Sequence, residues 1–212
     1  MISAAEDWEK LPLSFRINKK LISGRGRRLS AEEKGRGLVR EILSFLLYVA
    51  VVVGVTFLII HFVGQRTYVS GSSMENTLSD GDNLIVDKLT YRFSDPKRYD
   101  IIVFPYQYED NTYFIKRIIG LPGETVQIVD GTIYINGEVL GESYGREVMK
   151  NSGMAADPIT LGDDEYFVLG DNRNDSTDSR DPSVGKIKRN QIIGRAWVRI
   201  WPLSKIGILR HQ

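Results

Sequence analysis

Three segments of the sequence carry side chains that could carry out nucleophilic chemistry. Ser73 follows the run Ser70-Gly71-Ser72, whose small residues let backbone N–H groups turn toward a reacting carbonyl. Lys116 stands among apolar and β-branched residues, and a dense polar loop covers Gly170–Asp181. A serine hydroxyl becomes a good nucleophile only when a base accepts its proton, so the sequence has to supply that base.

Histidine, the usual base, is poorly placed in this chain. The two histidines are His61, near the end of an apolar run, and the penultimate residue His211, which argues against a Ser-His-Asp triad. The esterase motif Gly-x-Ser-x-Gly is also broken, because Glu75 stands two residues after Ser73. The absence of cysteine excludes thiol nucleophiles, disulfides and thiolate metal sites.

Lys116 is the candidate base. Side chains alternate between two faces in the strand-like run Tyr113–Ile119, so Lys116 shares a face with Phe114 and Ile118. Burial there would disfavour the ammonium form, and a fall of the pKa from about 10.4 to about 8 would raise the neutral fraction at pH 7 roughly 200-fold. A lysine that leaves the strand edge and extends into water is the alternative, and the pattern alone leaves both open.

The polar loop Gly170–Asp181 could instead bind a cation. The EF-hand spacing fails, however, because Arg173 stands where Asp or Asn is needed and Ser176 where glycine is needed. Alternating Arg and Asp favour an internal lattice of salt bridges and hydrogen bonds that fixes a neighbouring group. We therefore predict no metal site and no cofactor.

The elements that must position these groups are predicted to be short strands. They are rich in β-branched and aromatic residues, and Asn136-Gly137 is the strongest hairpin signal between them. The predicted strands are Thr67–Ser70, Asn83–Lys88, Asp100–Phe104, Tyr113–Ile119, Thr125–Val129, Thr132–Ile135, Glu138–Leu140, Glu165–Leu169 and Gln191–Trp201. We expect a mainly β domain, a coiled antiparallel sheet with a barrel-like form, in which residues 141–164 make a surface excursion.

An apolar segment, Ile42–Val63, precedes this domain. It contains no Asp, Glu, Lys or Arg, and a helix over it would reach roughly 33 Å, enough for a hydrocarbon core of about 30 Å. The long basic tail of residues 1–41 and the lack of a small-x-small site in residues 64–68 favour an uncleaved anchor over a cleaved secretory signal. The basic excess of the tail predicts a cytoplasmic N-terminus.

Length and charge limit the remaining possibilities. A chain of 212 residues accommodates this anchor and one globular domain, residues 64–212. The 28 Lys and Arg nearly balance the 27 Asp and Glu, so the net charge gives no indication of nucleic-acid binding.

Taken together, these segments resemble the type I signal peptidases, membrane-bound Ser-Lys endopeptidases that remove signal peptides from exported proteins. The resemblance runs from the apolar segment to about Pro202. The matching motifs are Ser73-Met74 with Thr77-Leu78, Gly81-Asp82 through Tyr99–Phe104, Lys116–Glu124, Gly170–Arg173 and Ser176–Arg180.

The resemblance implies a role for each residue of the site. Ser73 Oγ would attack the scissile carbonyl, with the Ser73 backbone N–H as an oxyanion donor, and neutral Lys116 would be the base. Ser176 would orient Lys116 through a hydrogen bond. The other supporting residues would be Asp178 and Arg180, as an ion pair, and Arg117, which would help to fix the lysine strand.

Three positions depart from the family's usual pattern. Gly71 stands where some members carry a serine whose hydroxyl completes the oxyanion hole, so the second oxyanion donor is left open. Asn76 replaces the usual proline, which is expected to loosen the turn. Asn174-Asp175 reverses the commonest order, a change that we expect to be tolerated.

Substrate and location also follow from the resemblance. The substrates would be signal peptides of exported pre-proteins, cut after small residues, typically Ala-x-Ala, and bound as an added strand with Met74 in the pocket wall. The enzyme would be a monomer whose other partner is the lipid bilayer. It would cross the bacterial plasma membrane once and hold its catalytic domain outside the cell.

Other functions fit the sequence less well. The alternative is a catalytically silent, membrane-tethered β domain that binds peptides or partner proteins, although the presence of both Ser73 and Lys116 counts against it. A self-cleaving repressor-type Ser-Lys peptidase would need a DNA-binding module in place of the anchor. Two Ser-x-x-Lys matches suggest a penicillin-recognising enzyme, but both contain helix-breaking residues and no Lys-Thr-Gly follows.

Overall fold

The computed structural model describes residues 31–58 and 64–209, with side-chain surroundings from residue 37 onward. The helix α1 spans Ala31–Leu58. Its part Gly37–Leu58 is long and apolar enough to cross a membrane, with a mean hydropathy of 2.3, and none of its most apolar stretch is buried against the rest of the described chain. The predicted anchor is therefore helical from Ile42 to Leu58, while residues 59–63 and the tail up to residue 30 lie outside the described residues. The predicted domain boundaries stay predictions.

Twelve short strands are described in residues 64–209. In chain order they are β1 (Gly64–Tyr68), β2 (Asn83–Asp87), β3 (Ile101–Pro105), β4 (Tyr113–Gly120), β5 (Thr125–Val129), β6 (Thr132–Ile135), β7 (Glu138–Val139), β8 (Ile159–Thr160), β9 (Glu165–Leu169), β10 (Ile187–Lys188), β11 (Gly194–Trp201) and β12 (Gly207–Ile208). Short 3₁₀ helices lie at Thr90–Arg92, Gly153–Ala156, Arg189–Gln191 and Leu203–Lys205. Each predicted strand overlaps one of these, whereas β8, β10 and β12 were not predicted.

The larger sheet has the strand order β1-β2-β11-β3-β4-β9-β10, with β12 on β11. All of its pairs are antiparallel. Within the described residues no ladder joins β1 to β10, because β10 is two residues long and pairs with β9 alone. The mainly β, antiparallel fold is thus confirmed, and the barrel-like form is corrected to an open sheet.

The smaller sheet has the order β7-β6-β5-β8. Its two hairpins turn at Asp130-Gly131 and Asn136-Gly137, whose φ angles are 49°, 77°, 52° and 85°, as two-residue hairpin turns require. The hairpin predicted at Asn136-Gly137 is confirmed. Residues 141–164 are more than a surface excursion, because they supply β8 and the buried side chains of Met149 and Leu161.

The core lies on both faces of β4. Ile115, Ile118 and Ile119 belong to three different clusters of buried apolar side chains. Lys116 and Arg117 stand between them and are 4% and 1% exposed. Burying a charge at such a position costs free energy unless the charge is paired. The groups around each of these two side chains therefore determine whether it stays charged.

Candidate active site

Ser73 and Lys116 meet although they are far apart in the chain. Ser73 lies in tight turns beyond β1, in which the Leu78 N–H donates to the Met74 carbonyl at 2.8 Å. Lys116 lies on β4, where β3 pairs with it. The distance between Lys116 Nζ and Ser73 Oγ is 2.7 Å, which is hydrogen-bond distance. The structure therefore brings together the two residues that the sequence proposes as base and nucleophile.

Lys116 is buried in surroundings that disfavour its charge. Its Nζ lies 4.9 Å from the centroid of the Phe114 ring, and no carboxylate in the described residues forms a salt bridge with it. Burial lowers the pKa of Lys116 to about 8, against the carboxylates of Asp178 and Asp171 and with help from the Arg180 cation. At pH 7 roughly a tenth of such a lysine is uncharged.

The loop after β9 holds the backbone of the serine. The Asn172 N–H donates to the Ser73 carbonyl at 3.1 Å, and Asn172 Nδ2 donates to the Ser72 carbonyl at 3.2 Å. A Cβ on Gly170 would lie 2.5 Å from the Ser73 carbonyl oxygen and closer still to Ser176 Oγ, so only glycine permits this approach. Sequence analysis assigned no role to Asn172 or Gly170. Their position directly after an apolar strand is the feature that could have marked them as part of the site.

Arg117, unlike Lys116, is fully paired. Its Nε and Nη2 donate to the two carboxylate oxygens of Asp171 at 2.8 and 2.7 Å, and its Nη1 donates to the Tyr99 carbonyl at 2.9 Å. Asp171 also accepts a hydrogen bond from Thr77 Oγ1, in the turns that follow the serine. Arg117 therefore ties the lysine strand to the loop after β9 and, through Asp171, to the serine turns. Sequence reasoning missed Asp171 and Thr77.

Asp178 and Arg180 form the ion pair that the resemblance implies. Arg180 Nε and Nη2 donate to the two oxygens of Asp178, each at 2.8 Å. Asp178 also accepts the Gly170 N–H at 3.0 Å, and Arg180 Nη2 donates to the Arg173 carbonyl at 2.6 Å. The pair thus fixes the start and the middle of the loop that supports the serine.

Ser176 does not make the expected hydrogen bond to Lys116. Its Oγ is buried and has no hydrogen-bond partner among the described residues. The hydroxyl faces the backbone of Gly170, where the chain leaves no room for a side chain. Ser176 and Lys116 nevertheless line the same cavity.

The expected oxyanion donor is the backbone N–H of Ser73. The Ser73 N–H makes no hydrogen bond within residues 64–209. Gly71 adopts a φ of 98°, its N–H donates to the Asp80 carboxylate at 2.9 Å, and it has no hydroxyl to contribute. Gly71 therefore supplies no second oxyanion donor.

A cavity of about 570 Å³ opens at Ser73 and Lys116. One wall is the stretch from the end of β1 to Met74, another is the start of β4, and residues 175–177 form the third. Met74 also lines the cavity, although it is 2% exposed and packs in the core. In the described residues no three His, Asp or Glu side chains group as metal ligands.

The chain belongs to the signal peptidase family, peptidase S26, whose family model matches residues 40–201. The probable signal peptidase I-2 of Synechocystis sp. is 42% identical to it over 155 residues, which are 70% of this chain and 68% of that protein. The signal peptidase I of Bacillus licheniformis is 34% identical over 182 residues, 82% of this chain and 97% of that protein. A crystal structure of a signal peptidase I from Enterococcus faecalis is 38% identical, with a TM-score of 0.41, and the match covers 48% of this chain and 97% of that one.

Proposed function

We propose that this protein is a membrane-anchored serine endopeptidase that removes signal peptides from exported pre-proteins, with Ser73 as nucleophile and neutral Lys116 as base. The observation that carries the proposal is the 2.7 Å contact between Lys116 Nζ and Ser73 Oγ in a member of the signal peptidase family. A lysine with a pKa of about 8 can accept a proton near neutral pH, as a general base must.

Acylation comes first in this mechanism. Ser73 Oγ attacks the carbonyl carbon of the scissile bond while its proton passes to Lys116 Nζ, and the Ser73 N–H stabilises the oxyanion that forms. The Lys116 ammonium then donates this proton to the leaving nitrogen as the C–N bond breaks. The mature protein leaves with a free amine, and the signal peptide remains as an ester on Ser73.

Deacylation restores the enzyme. Lys116, neutral again, accepts a proton from a water molecule that attacks the ester carbonyl. The ammonium returns the proton to Ser73 Oγ as the signal peptide leaves with a new carboxylate. Arg117 and the Asp178–Arg180 pair act as positioning residues throughout. Ser176 joins them by turning its unpaired hydroxyl toward Lys116, which costs it no existing hydrogen bond.

The cavity supports a preference for small residues before the bond, typically Ala-x-Ala. Its apolar walls include Val69, Met74 and Ile115, which are 5%, 2% and 9% exposed and offer shallow surfaces rather than deep pockets. An extended peptide that adds beside β4 would direct alternate side chains toward these walls. Larger side chains would collide with residues that already pack in the core.

Cleavage of a synthetic precursor with an Ala-x-Ala site, in detergent, tests the proposal. We expect the wild type to cut after the second Ala, and Ser73→Ala and Lys116→Met to lose at least about a thousandfold in kcat/KM. Lys97→Met, which removes an exposed lysine elsewhere, is the matched control and should keep full activity. An inert wild type that still binds the peptide would favour the tethered binding domain, and near-normal activity of either site variant would refute the dyad.

The helix α1 supports a single membrane span, and the basic tail supports a cytoplasmic N-terminus with the β domain outside. Because the chain has no cysteine, single cysteines can report its topology. A membrane-impermeant maleimide should label Asp110→Cys in intact cells, and Lys20→Cys only after lysis. The reverse pattern would show the opposite orientation.

A further inference from the structure

The pairing of β4 leaves one edge of the strand open to a bound peptide. On one edge, β3 pairs with β4 from Tyr113 to Arg117. On the other edge, β9 pairs only with the part of β4 from Arg117 onward, so residues 113–116 have no strand partner there in the described part of the chain. An extended peptide can add to this open edge. The edge ends at Lys116, where the scissile bond must lie.

The loop after β9 begins at this end of the open edge, because Leu169, the last residue of β9, pairs with Arg117. The proposed function assigns the small residues before the scissile bond to the apolar walls at Val69, Met74 and Ile115, which lie along this edge. Those residues then pair with residues 113–115, so the residues after the bond leave past the loop. Asp175 and its two successors, Ser176 and Thr177, line the same cavity as Ser73 and Lys116. The first residues of the mature protein therefore pass this part of the loop.

Asp175 is the charged side chain at this place. Its carboxylate accepts a hydrogen bond from Ser72 Oγ, directly beside the nucleophile, and its N–H donates to the Asn172 carbonyl at 3.0 Å. The side chain is exposed and forms no salt bridge within residues 64–209. By contrast, Arg173 in the same loop is paired with Glu142 at 2.6 Å. An unpaired negative charge thus faces the path of the leaving segment.

The neighbouring residue explains why the carboxylate stands at 175 and not at 174. Asn174 Nδ2 donates to the Val148 carbonyl at 3.0 Å and to Glu147 Oε2 at 3.2 Å, while Asn174 Oδ1 accepts the Lys150 N–H at 2.9 Å. An aspartate could not donate the first two bonds and would meet the Glu147 carboxylate. Position 175 needs only an acceptor for Ser72, which a carboxylate supplies.

We infer that Asp175 selects the residues that follow the scissile bond, favouring Lys or Arg there and disfavouring Asp or Glu. This inference rests on the proposed function and assigns a specificity-determining residue to the same site. The Asp175 charge acts on the substrate and not on the pKa of Lys116, since the charged groups that shift this pKa are Asp178, Asp171 and Arg180. A rim charge of this kind changes binding and responds to salt, because the solvent screens it.

The test uses precursor peptides that share one Ala-x-Ala site and differ only in the first two residues after the bond, which are Lys, Gln or Glu. At low ionic strength we expect the wild type to prefer the Lys peptide over the Glu peptide by about tenfold in kcat/KM, mainly through KM. The change from Lys to Gln and the change from Gln to Glu should each contribute about threefold. Asp175→Asn keeps an acceptor for Ser72 but removes the charge, and should reduce this ratio to about one. Asp175→Lys should invert it.

Controls separate this inference from the proposed function. Asp130→Asn removes an exposed carboxylate from a hairpin of the smaller sheet and should keep the wild-type ratio. The pH profile on the Gln peptide should be the same for the wild type and Asp175→Asn. If no peptide is cut, the proposed function fails. If the peptides are cut but the Lys-to-Glu ratio is near one, or is the same in Asp175→Asn, the role of Asp175 is refuted.

Discussion

Two neighbouring basic side chains on β4 are buried to almost the same degree but have opposite kinds of partner, one charged and one neutral. Arg117 is 1% exposed and donates to both oxygens of Asp171, while Lys116 is 4% exposed and has the Ser73 hydroxyl as its hydrogen-bond partner. A buried charge with a bidentate carboxylate stays charged, whereas a buried charge beside a neutral hydroxyl tends to lose its proton. The fold thus keeps one cation as a cross-link and lowers the pKa of the other, as its proposed role as a base requires.

This difference follows from the chemistry of the two side chains as well as from their surroundings. Guanidinium is planar and keeps its proton, so it suits a permanent ion pair that joins a strand to a loop. The ammonium of lysine loses its proton when it is desolvated. An exchange of Lys116 and Arg117 would therefore preserve composition and net charge but remove both functions.

The largest expected effect comes from breaking the pair of Arg117. Asp171→Asn leaves the guanidinium buried without a carboxylate, which typically costs about 3–5 kcal/mol. We expect the free energy of unfolding to fall by about this amount in urea titrations. Asp163→Asn, at an exposed position, is the matched control and should change stability little. A loss below about 1 kcal/mol for Asp171→Asn would show that the pair is not a structural cross-link.

Lys116→Met should stabilise the protein while it abolishes activity. The folded-state pKa of about 8 lies below the reference of 10.5, so burial of this lysine costs roughly 3 kcal/mol wherever both states are protonated, below pH 8. Between pH 8 and 10.5 only the folded state loses the proton, and this cost diminishes as the pH rises. Urea unfolding at pH 7 should therefore show the variant more stable by about 3 kcal/mol, with a smaller difference at pH 10. Equal stability at both pH values would contradict a desolvated lysine.

The pH dependence of cleavage reports the same lysine during catalysis. Because the proposed base accepts a proton only in its neutral form, kcat/KM should rise about tenfold per pH unit and level off above the Lys116 pKa of about 8. Initial rates at a substrate concentration far below KM measure this profile. A flat profile between pH 6 and 9 would exclude Lys116 as the titrating base.

The smallest expected effect is a shift of that profile in Arg180→Gln. The Arg180 cation helps to lower the pKa of Lys116, and its loss also leaves the Asp178 carboxylate unpaired beside the lysine, so both changes raise this pKa. The rising limb of kcat/KM should move to higher pH in the folded variant. Lys97→Gln removes an exposed cation far along the chain and should leave the limb in place. A limb that does not move in Arg180→Gln would show that the pair acts on the loop alone.

Much of the fold could be predicted from local sequence. The alternation of Thr125–Val129 and Thr132–Ile135, with Asp130-Gly131 between them, specifies a hairpin without any distant contact. The strands β8, β10 and β12 could not be predicted, because two residues are too few to show the alternation of apolar and polar side chains. Such a strand forms only through its hydrogen bonds to a neighbouring strand. The buried residues of 141–164 could not be predicted either, since Met149, Ala155 and Leu161 are too widely spaced to show the period of a helix or a strand.

The candidate site was predicted less completely than the fold. Ser73, Lys116 and the Asp178–Arg180 pair could be named because each lies in a recognisable motif. Asp171 was overlooked as the partner of Arg117, since the two are 54 residues apart and nothing local connects them. The hydrogen bond expected from Ser176 is absent, because the orientation of its hydroxyl depends on how closely the chain approaches Gly170.

The sequence by itself determined the family, the apolar helix, most strands and their turns, because these depend on residue types and spacing within short segments. Only the tertiary structure decided that the sheet stays open, that Lys116 is buried rather than extended into water, and that Arg117 and not Lys116 receives the carboxylate. Burial and ion pairing are properties of contacts between distant segments. The charge state of a side chain follows from those contacts, so the chemistry of this strand could be proposed from the sequence but required the folded chain to be explained.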